Sequence, residues 1–292
     1  MPHLRSMRHP RPSLPIGPIL AVAALAGVMV LEHRAPLRRA TQREPARTGR
    51  NLMLGLLSMA VVAAAEGPLV DRLAETVERR RWGLAQRVRA PAWLRDALAV
   101  LGMDYTMYVW HVLTHKLPFL WRFHLVHHVD LDLDSSTAMR FHAVDMLISI
   151  PWRAAQMLLL GTSRRALSVW QGFFFASVVF HHSNMRLPPR LERAMATVLT
   201  TPRMHGIHHS AMRDHTDSNW SSGFSIWDHL HRTFRLDVPQ RAIRIGVPGY
   251  REPGELRLWP SLILPFRRQR DAWQPPGGNI RNGAGTVPGW IG

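Results

Sequence analysis

AVDMLISIPWRAAQMLLLG runs from Ala143 to Gly161, and after Thr162-Ser163-Arg164-Arg165 the chain resumes as ALSVWQGFFFASVVF to Phe180. These two apolar arms decide the fold. Each is a little short for a straight crossing of a bilayer core about 30 Å thick, which needs roughly 20 helical residues. Arg153 inside the first arm is costly in lipid unless it faces protein or snorkels to the interface. A tight helical hairpin that enters and leaves on one face satisfies both facts. Whatever precedes Ala143 and follows Phe180 then shares one side of the membrane.

Working outward, Leu14 to Leu31 (LPIGPILAVAALAGVMVL) carries no charge, and Asn51 to Val70 is apolar apart from Asn51 and Glu66. Both suit a bilayer crossing. The first stretch exceeds the apolar core of a signal peptide and lacks a clear small-x-small cleavage site, so it reads as a retained helix. Asp71 to Ala90 is arginine-rich and reads as an amphipathic surface helix or loop. Pro91 to Trp110 is amphipathic, with Pro91 suited to a helix start and Trp93, Tyr105, Tyr108 and Trp110 suited to an interfacial depth. Arginines precede the first apolar stretch (Arg5, Arg8, Arg11) and fill both following loops, so the positive-inside bias does not choose an orientation.

The expected fold class is all-α: an integral-membrane bundle of about four transmembrane helices plus an amphipathic helix. Residues 1–90 form an N-terminal hairpin with a basic amphipathic segment, and residues 91–238 form a histidine-rich catalytic domain. Residues 239–292 form a Pro/Gly/Arg-rich tail, poorly ordered from Pro275.

Composition narrows the chemistry. None of the 292 residues is cysteine, so disulfides and thiolate metal sites are excluded. The net charge of +17 is almost wholly arginine, since Lys116 is the only lysine. No basic stripe with interleaved aromatics lies on a recognisable nucleic-acid module, and no nucleic-acid partner is expected.

Histidine is concentrated in three places: HVLTH (His111, His115), HLVHH (His124, His127, His128) and HGIHH (His205, His208, His209). Positions i, i+3 and i+4 share one helical face, with Cβ atoms about 5–6 Å apart, so the rings can converge on a metal. With 17 histidines in the chain, one HxxHH is expected by chance about 0.06 times, so two copies are not accidental. Eight imidazoles exceed the ligand count of a single ion, and two metals are the natural reading. An all-nitrogen set suits iron, zinc or copper. The Glu-x-x-His signature of ferritin-like di-iron bundles and the HExxH protease helix are both missing. Because the clusters flank the hairpin, all eight rings can meet at one membrane surface, within reach of a lipid tail. For a substrate with no polar reacting group, the useful metal reaction is oxidation by dioxygen.

The boxes and their order resemble the fatty acid hydroxylase and sterol desaturase superfamily of membrane di-iron oxidases. The likeness runs from about Pro91 to Phe234 and rests on DYTMYVWHVLTH, LWRFHLVHH, STAMRFH, HHSNMRLP, TPRMHGIHHS and DSNWSSGFSIWDHLHRTF taken together. It implies that His111, His115, His124, His127, His128, His205, His208 and His209 are metal ligands, with His182 as a ninth and His142 as a weaker candidate. It further implies two iron ions (Fe2+/Fe3+), with zinc as a substitute, on a cytosolic helical cap above the membrane bundle. The partners implied are a lipid substrate and an electron-donating reductase of ferredoxin or cytochrome b5 type. The location implied is the bacterial inner membrane, crossed several times, with the active site on the cytoplasmic side. The expected activity is hydroxylation or desaturation of a lipid C–H bond; the alternative is a non-oxidative zinc-holding or hydrolytic membrane protein. WDHLHRTF and NWSS depart from the usual family wording, but outside the boxes.

His181, next to His182, reads as structural, as do His3, His9, His33, His215, His229 and His231. Asp104, Asp130 and Asp228 suit acceptors that orient a ligand histidine, or equally helix caps. Phe173 to Phe175 read as lipid-facing or bundle packing rather than a substrate channel.

Overall fold

The computed structural model describes residues 16–42 and 45–275, whose regular elements are all helical. Arg5, Arg8, Arg11, the start of the first apolar stretch, His3, His9 and residues 276–292 lie outside the described residues. In chain order the α-helices are α1 (Ile16–Arg34), α2 (Pro45–Val61), α3 (Gly67–Arg80), α4 (Leu84–Arg87), α5 (Ala92–Lys116), α6 (Pro118–His128) and α7 (Ala143–Leu160). They continue with α8 (Arg164–His182), α9 (Pro189–Ala196), α10 (Pro202–His208), α11 (Arg213–Thr216), α12 (Ile226–His231) and α13 (Leu258–Ile263).

The apolar stretch at 51–70 and the arginine-rich stretch after it are one continuous rod. A five-residue π turn, Val62–Glu66, joins α2 to α3, and the Gly67 N–H reaches back to the Val62 carbonyl. Pro68 explains the wide turn, because it has no N–H to close the ordinary bond four residues back. Beyond the turn, α3 is amphipathic: Val70, Ala74 and Val77 are buried while Asp71, Arg72, Glu75 and Arg79 face outward. Its buried stripe packs with Met103, Met157, Leu167 and Trp170.

The turn expected between the two apolar arms is present, but α7 and α8 pack on α3 and α5 rather than tightly on each other. Gly161 ends α7 in the left-handed conformation at φ 77°, and the Ser163 side chain accepts the Ala166 N–H at the start of α8. Gly83, also at positive φ, lies so close that a Cβ there would sit 2.2 Å from the Gly161 nitrogen. Only glycine allows the α3–α4 corner to seat on the hairpin turn.

Two segments, Pro45–Arg87 and Ala143–Leu160, are long and apolar enough to cross a membrane, and only 28% and 22% of their apolar windows are buried. Core helices of a soluble protein would bury far more. Leu56, Met59, Leu159 and Val169 instead turn outward from α2, α7 and α8. Arg153 faces protein, as its cost in lipid requires, and is only 9% exposed.

A polar clamp ties α2 to the chain that follows α6. Arg47 donates two parallel bonds of 2.8 Å to Asp130 and also pairs with Asp134. Asn51 links Asp130 and Ser136, and Arg140 donates to Asn51, the Val126 carbonyl and Ser261. Burial alone would raise the Asp130 pKa, but Arg47 and Arg140 hold it down to about 2. Downstream of Val238, residues Val247, Tyr250, Leu256, Leu264 and Ala272 pack onto Leu54, Leu125, Val126 and Val129.

Candidate metal centre

The histidine boxes sit on three helices whose junctions fold them together. α5 and α6 are separated by Leu117 alone, and Pro118 starts α6, so the chain reverses and brings HVLTH against HLVHH. α10 is capped by Thr201, which accepts the Met204 N–H, and Pro202 occupies its first turn. His182 arrives from the end of α8.

Two groups of four rings result, His111, His115, His128 and His208 in one and His127, His182, His205 and His209 in the other. Within each group the ligand nitrogens all lie within 4.8 Å of one another. The groups touch: the His128 and His209 rings stack with centroids 4.2 Å apart.

Backbone carbonyls set the tautomers. The Nδ1–H of His111 donates to the Trp220 carbonyl at 2.7 Å, that of His182 to Val178 at 2.8 Å, and that of His208 to Ser218 at 2.9 Å. His127 Nδ1 makes a longer bond of 3.3 Å to the Arg140 carbonyl. Each of these rings, when neutral, therefore presents a bare Nε2 lone pair. His127 Nε2 and His182 Nε2 are 3.0 Å apart, and His205 Nε2 lies 3.0 Å from both His182 Nε2 and His209 Nε2. No proton is left to bridge the His127–His182 contact. Two nitrogens each about 2.1 Å from one ion and at right angles would be about 3.0 Å apart, so a cation fits where protons do not. In the other group, the Nε2 atoms of His115, His128 and His208 are buried without a hydrogen-bond partner.

Charge points the same way. Burial first, and then the neighbouring rings, lower the pKa of His127, His128, His205 and His209 well below 6.5. Burial likewise brings His208 to about 3. These rings are neutral at pH 7, the form that ligates metal.

Other candidates fall outside the two groups. His124 lies between them, with Nδ1 3.9 Å from Asp145 and a buried Nε2 that has no partner. His142 caps α7 instead: Nδ1 accepts the Val144 N–H and Nε2 meets the Leu262 carbonyl at 3.0 Å, so both nitrogens are engaged. His181 is buried with its ring centroid 4.1 Å from that of His205. His33 contacts the Met29 carbonyl, His229 the Ala196 carbonyl, His231 the Tyr105 hydroxyl and His215 Ser210, and none joins either group.

The three aspartates touch no box histidine. Asp104 holds the Phe224 N–H and the Trp227 indole, Asp130 belongs to the Arg47 clamp, and Asp228 accepts from Trp220 N, Ser221 N and Thr233. Asp228 thereby fixes the turn whose Trp220 carbonyl orients His111. Asp145 on α7 is the carboxylate nearest a box ring, through His124.

A cavity of about 320 Å³ opens from the rings. Its lining includes His111, His124, His127, His181, His182 and His205. Further along α5, α7 and α8 it is walled by Met107, Trp152, Arg153, Trp170, Phe174 and Phe175. Phe174 and Phe175 pack into the bundle as expected, against Ala138, Val178 and Val179, and also line the cavity, while Phe173 stacks on Phe224. A second, more polar cavity of about 660 Å³ reaches His115 and is lined by Lys116, Trp121, Arg122, Arg213, Arg270 and Trp273.

Residues 97–233 match the fatty acid hydroxylase family. The ornithine lipid hydroxylase OlsE of Rhizobium tropici is 27% identical over 86% of this chain and 76% of its own length. Alkylglycerol monooxygenase of Danio rerio is 27% identical over 66% of this chain and 42% of its own length, and human cholesterol 25-hydroxylase is 29% identical over 49% and 52%. The chain thus spans about half or less of the latter two relatives. No solved structure matches. The family match and these relatives support the fatty acid hydroxylase and sterol desaturase superfamily, and the matched segment carries the histidine boxes whose rings gather at one centre.

Proposed function

We propose that this oxidoreductase inserts an oxygen atom into an aliphatic C–H bond of a membrane lipid, using dioxygen and external electrons at a pair of iron ions. The observation that carries the reading is the convergence of two four-histidine groups, one with mutually facing lone pairs, on the wall of an apolar cavity. Bound iron would supply dioxygen activation, which no side chain can. His111, His115, His128 and His208 would hold one ion and His127, His182, His205 and His209 the other, with His124 between them. The carbonyls of Trp220, Arg140, Val178 and Ser218 orient the rings, while Trp110, Phe141 and Phe174 keep water from the reacting carbon.

The activities of these relatives support hydroxylation over desaturation, and a membrane lipid as substrate class. Outward apolar faces on α2, α7 and α8 support a multi-pass membrane protein; about four crossings and a histidine cap on the cytoplasmic side are proposed from the family resemblance. The polar cavity at His115 supports approach of a water-soluble electron-donating reductase.

The test is anaerobic purification with iron and zinc quantification, then single-turnover oxidation with a chemical reductant under ¹⁸O₂ in host lipid extract. About two irons per chain and a lipid carrying one ¹⁸O are expected. Tightly held zinc with no oxygen consumption would favour the metal-holding alternative.

A further inference from the structure

We propose that the buried Arg153–Glu66 pair is a binding subsite for an uncharged hydrogen-bonding group of the lipid substrate, a hydroxyl or an amide, and that it sets which carbon lies beneath the histidines. The proposal rests on the lipid-oxidising reading above and deepens it.

The pair is built by local sequence features. Glu66 is the last residue of the π turn that Pro68 enforces, in a rod otherwise apolar from Leu52 to Val70. Such turns insert an extra residue and re-aim the side chains next to them, which is why they recur at functional sites. Arg153 ends a polar stripe on α7, Asp145, Ser149 and Arg153, at spacing i, i+4, i+8 on one face. All three stripe residues and Glu66 line the same cavity as the histidines.

The arginine is held from several sides. Its Nε lies 3.4 Å from Glu66 Oε1, its Nη1 donates to Gln156 Oε1 at 2.9 Å, and its guanidinium lies 4.3 Å from the centre of the Trp170 ring. Gln156 in turn donates to Thr106 on α5. The contact with Glu66 is single and long, not a bidentate fork. Among the described residues, Arg153 Nη2 and Glu66 Oε2 make no hydrogen bond. A buried ion pair adds little to stability over an apolar pair of the same shape, so stability alone gives this charge little reason to be here.

The chemistry of the missing partner follows from the two free atoms. One is a donor and the other an acceptor, on a pair whose charges cancel. A carboxylate or phosphate would meet the Glu66 carboxylate, and an ammonium would meet the guanidinium. A hydroxyl or an amide satisfies both at once. Asp145, beside His124, and Arg153 are eight residues apart on one helix, or about 12 Å. Several methylenes would fill that interval, against Met107, Trp152 and Phe174. The anchored group then acts as a ruler for the site of oxidation.

The test uses the full chain in detergent with 1-dodecanol, dodecane and dodecanoate at pH 8, reading binding by ligand-induced thermal shift and regiochemistry by fragmentation mass spectrometry. Wild type should bind dodecanol about tenfold more tightly than either other probe, the scale of one hydrogen bond to a charged group. It should also oxidise dodecanol predominantly at one carbon. The double variant Glu66→Leu/Arg153→Met should keep wild-type iron, lose the preference and scatter the product over several carbons. Arg153→Lys, which retains the charge but not the second nitrogen, should lose most of the preference as well. Equal binding of dodecanol and dodecane by wild type, or an unchanged preference in Arg153→Lys, would overturn the subsite. Tighter binding of dodecanoate would show an anion site and overturn it too. Selective dodecanol binding without oxidation of any lipid would sink the lipid-oxidising reading and leave the subsite standing.

Discussion

His127 on α6 and His182 at the end of α8 bring their Nε2 atoms to 3.0 Å while both Nδ1–H groups are committed to backbone carbonyls. Two lone pairs at that distance repel unless a cation lies between them. The histidine boxes therefore do more than share a helical face: the carbonyls behind them have fixed which nitrogen points inward.

His127→Ala removes one member of the second group, and His208→Ala one member of the first. Each should lower iron from about two to about one per chain and cut turnover by at least about 100-fold, the upper range for loss of a metal-site group. His215→Ala, which contacts Ser210 outside the centre, should change neither by more than about twofold. Elemental analysis with single-turnover kinetics decides it; full iron and activity in His127→Ala would remove the second group from the site.

Asp228 is fully buried and accepts three hydrogen bonds, from Trp220 N at 2.8 Å, Ser221 N at 3.1 Å and Thr233 Oγ1 at 2.7 Å. Asp228→Ala strands those donors and should cost about 3 kcal/mol of stability. It should also loosen the Trp220 carbonyl that orients His111, so the first ion should be lost at lower chelator concentration than the second. Equal release of both ions would separate Asp228 from the metal site.

The folded rings have pKa values below those of an unfolded chain, about 3 for His208 against 6.5. Between those values the unfolded state binds more protons, so stability drops as the pH is lowered through that range and is flat above about 6.5. Urea melts of the chelated protein should therefore coincide at pH 7 and 8 and shift to lower urea from pH 6.5 to 5. A midpoint that rises on acidification would mean the rings are not held neutral.

Gly83→Ala places a methyl group against the Gly161 backbone at a positive φ of 86°. A loss of roughly 1–3 kcal/mol is expected from strain and overpacking combined, visible as lower melting temperature and yield. Gly172→Ala, with nothing within 4 Å of the added carbon, is the control and should be neutral or slightly stabilising.

Much of the site was legible because a box histidine carries its geometry in its spacing, and because the Thr162–Arg165 break between apolar arms has few other readings. What stayed hidden depends on groups without a sequence signature. The partners of His111, His127, His182 and His208 are main-chain carbonyls, so the aspartates suggested for that task proved to hold loops instead. Glu66 looked like a blemish in an apolar run until the π turn showed where it points. The stripe Asp145, Ser149, Arg153 was a usable signal, since three polar residues at fourfold spacing in an apolar helix mark a face that avoids lipid. Beyond Val238, proline and arginine suggested a tail, while the sparse Val247, Tyr250, Leu256 and Trp273 anchor it.

Trp273 stacks on Trp121 at 6.1 Å, and Trp121 lies 4.8 Å from His115 and 5.5 Å from His128. The wall behind the first histidine group is therefore made by nearly the last described residues, long after α7 and α8 leave the ribosome. During synthesis the bundle can insert before that wall exists. Closing the first histidine group on this side therefore waits for a segment made well after the helices that carry its rings.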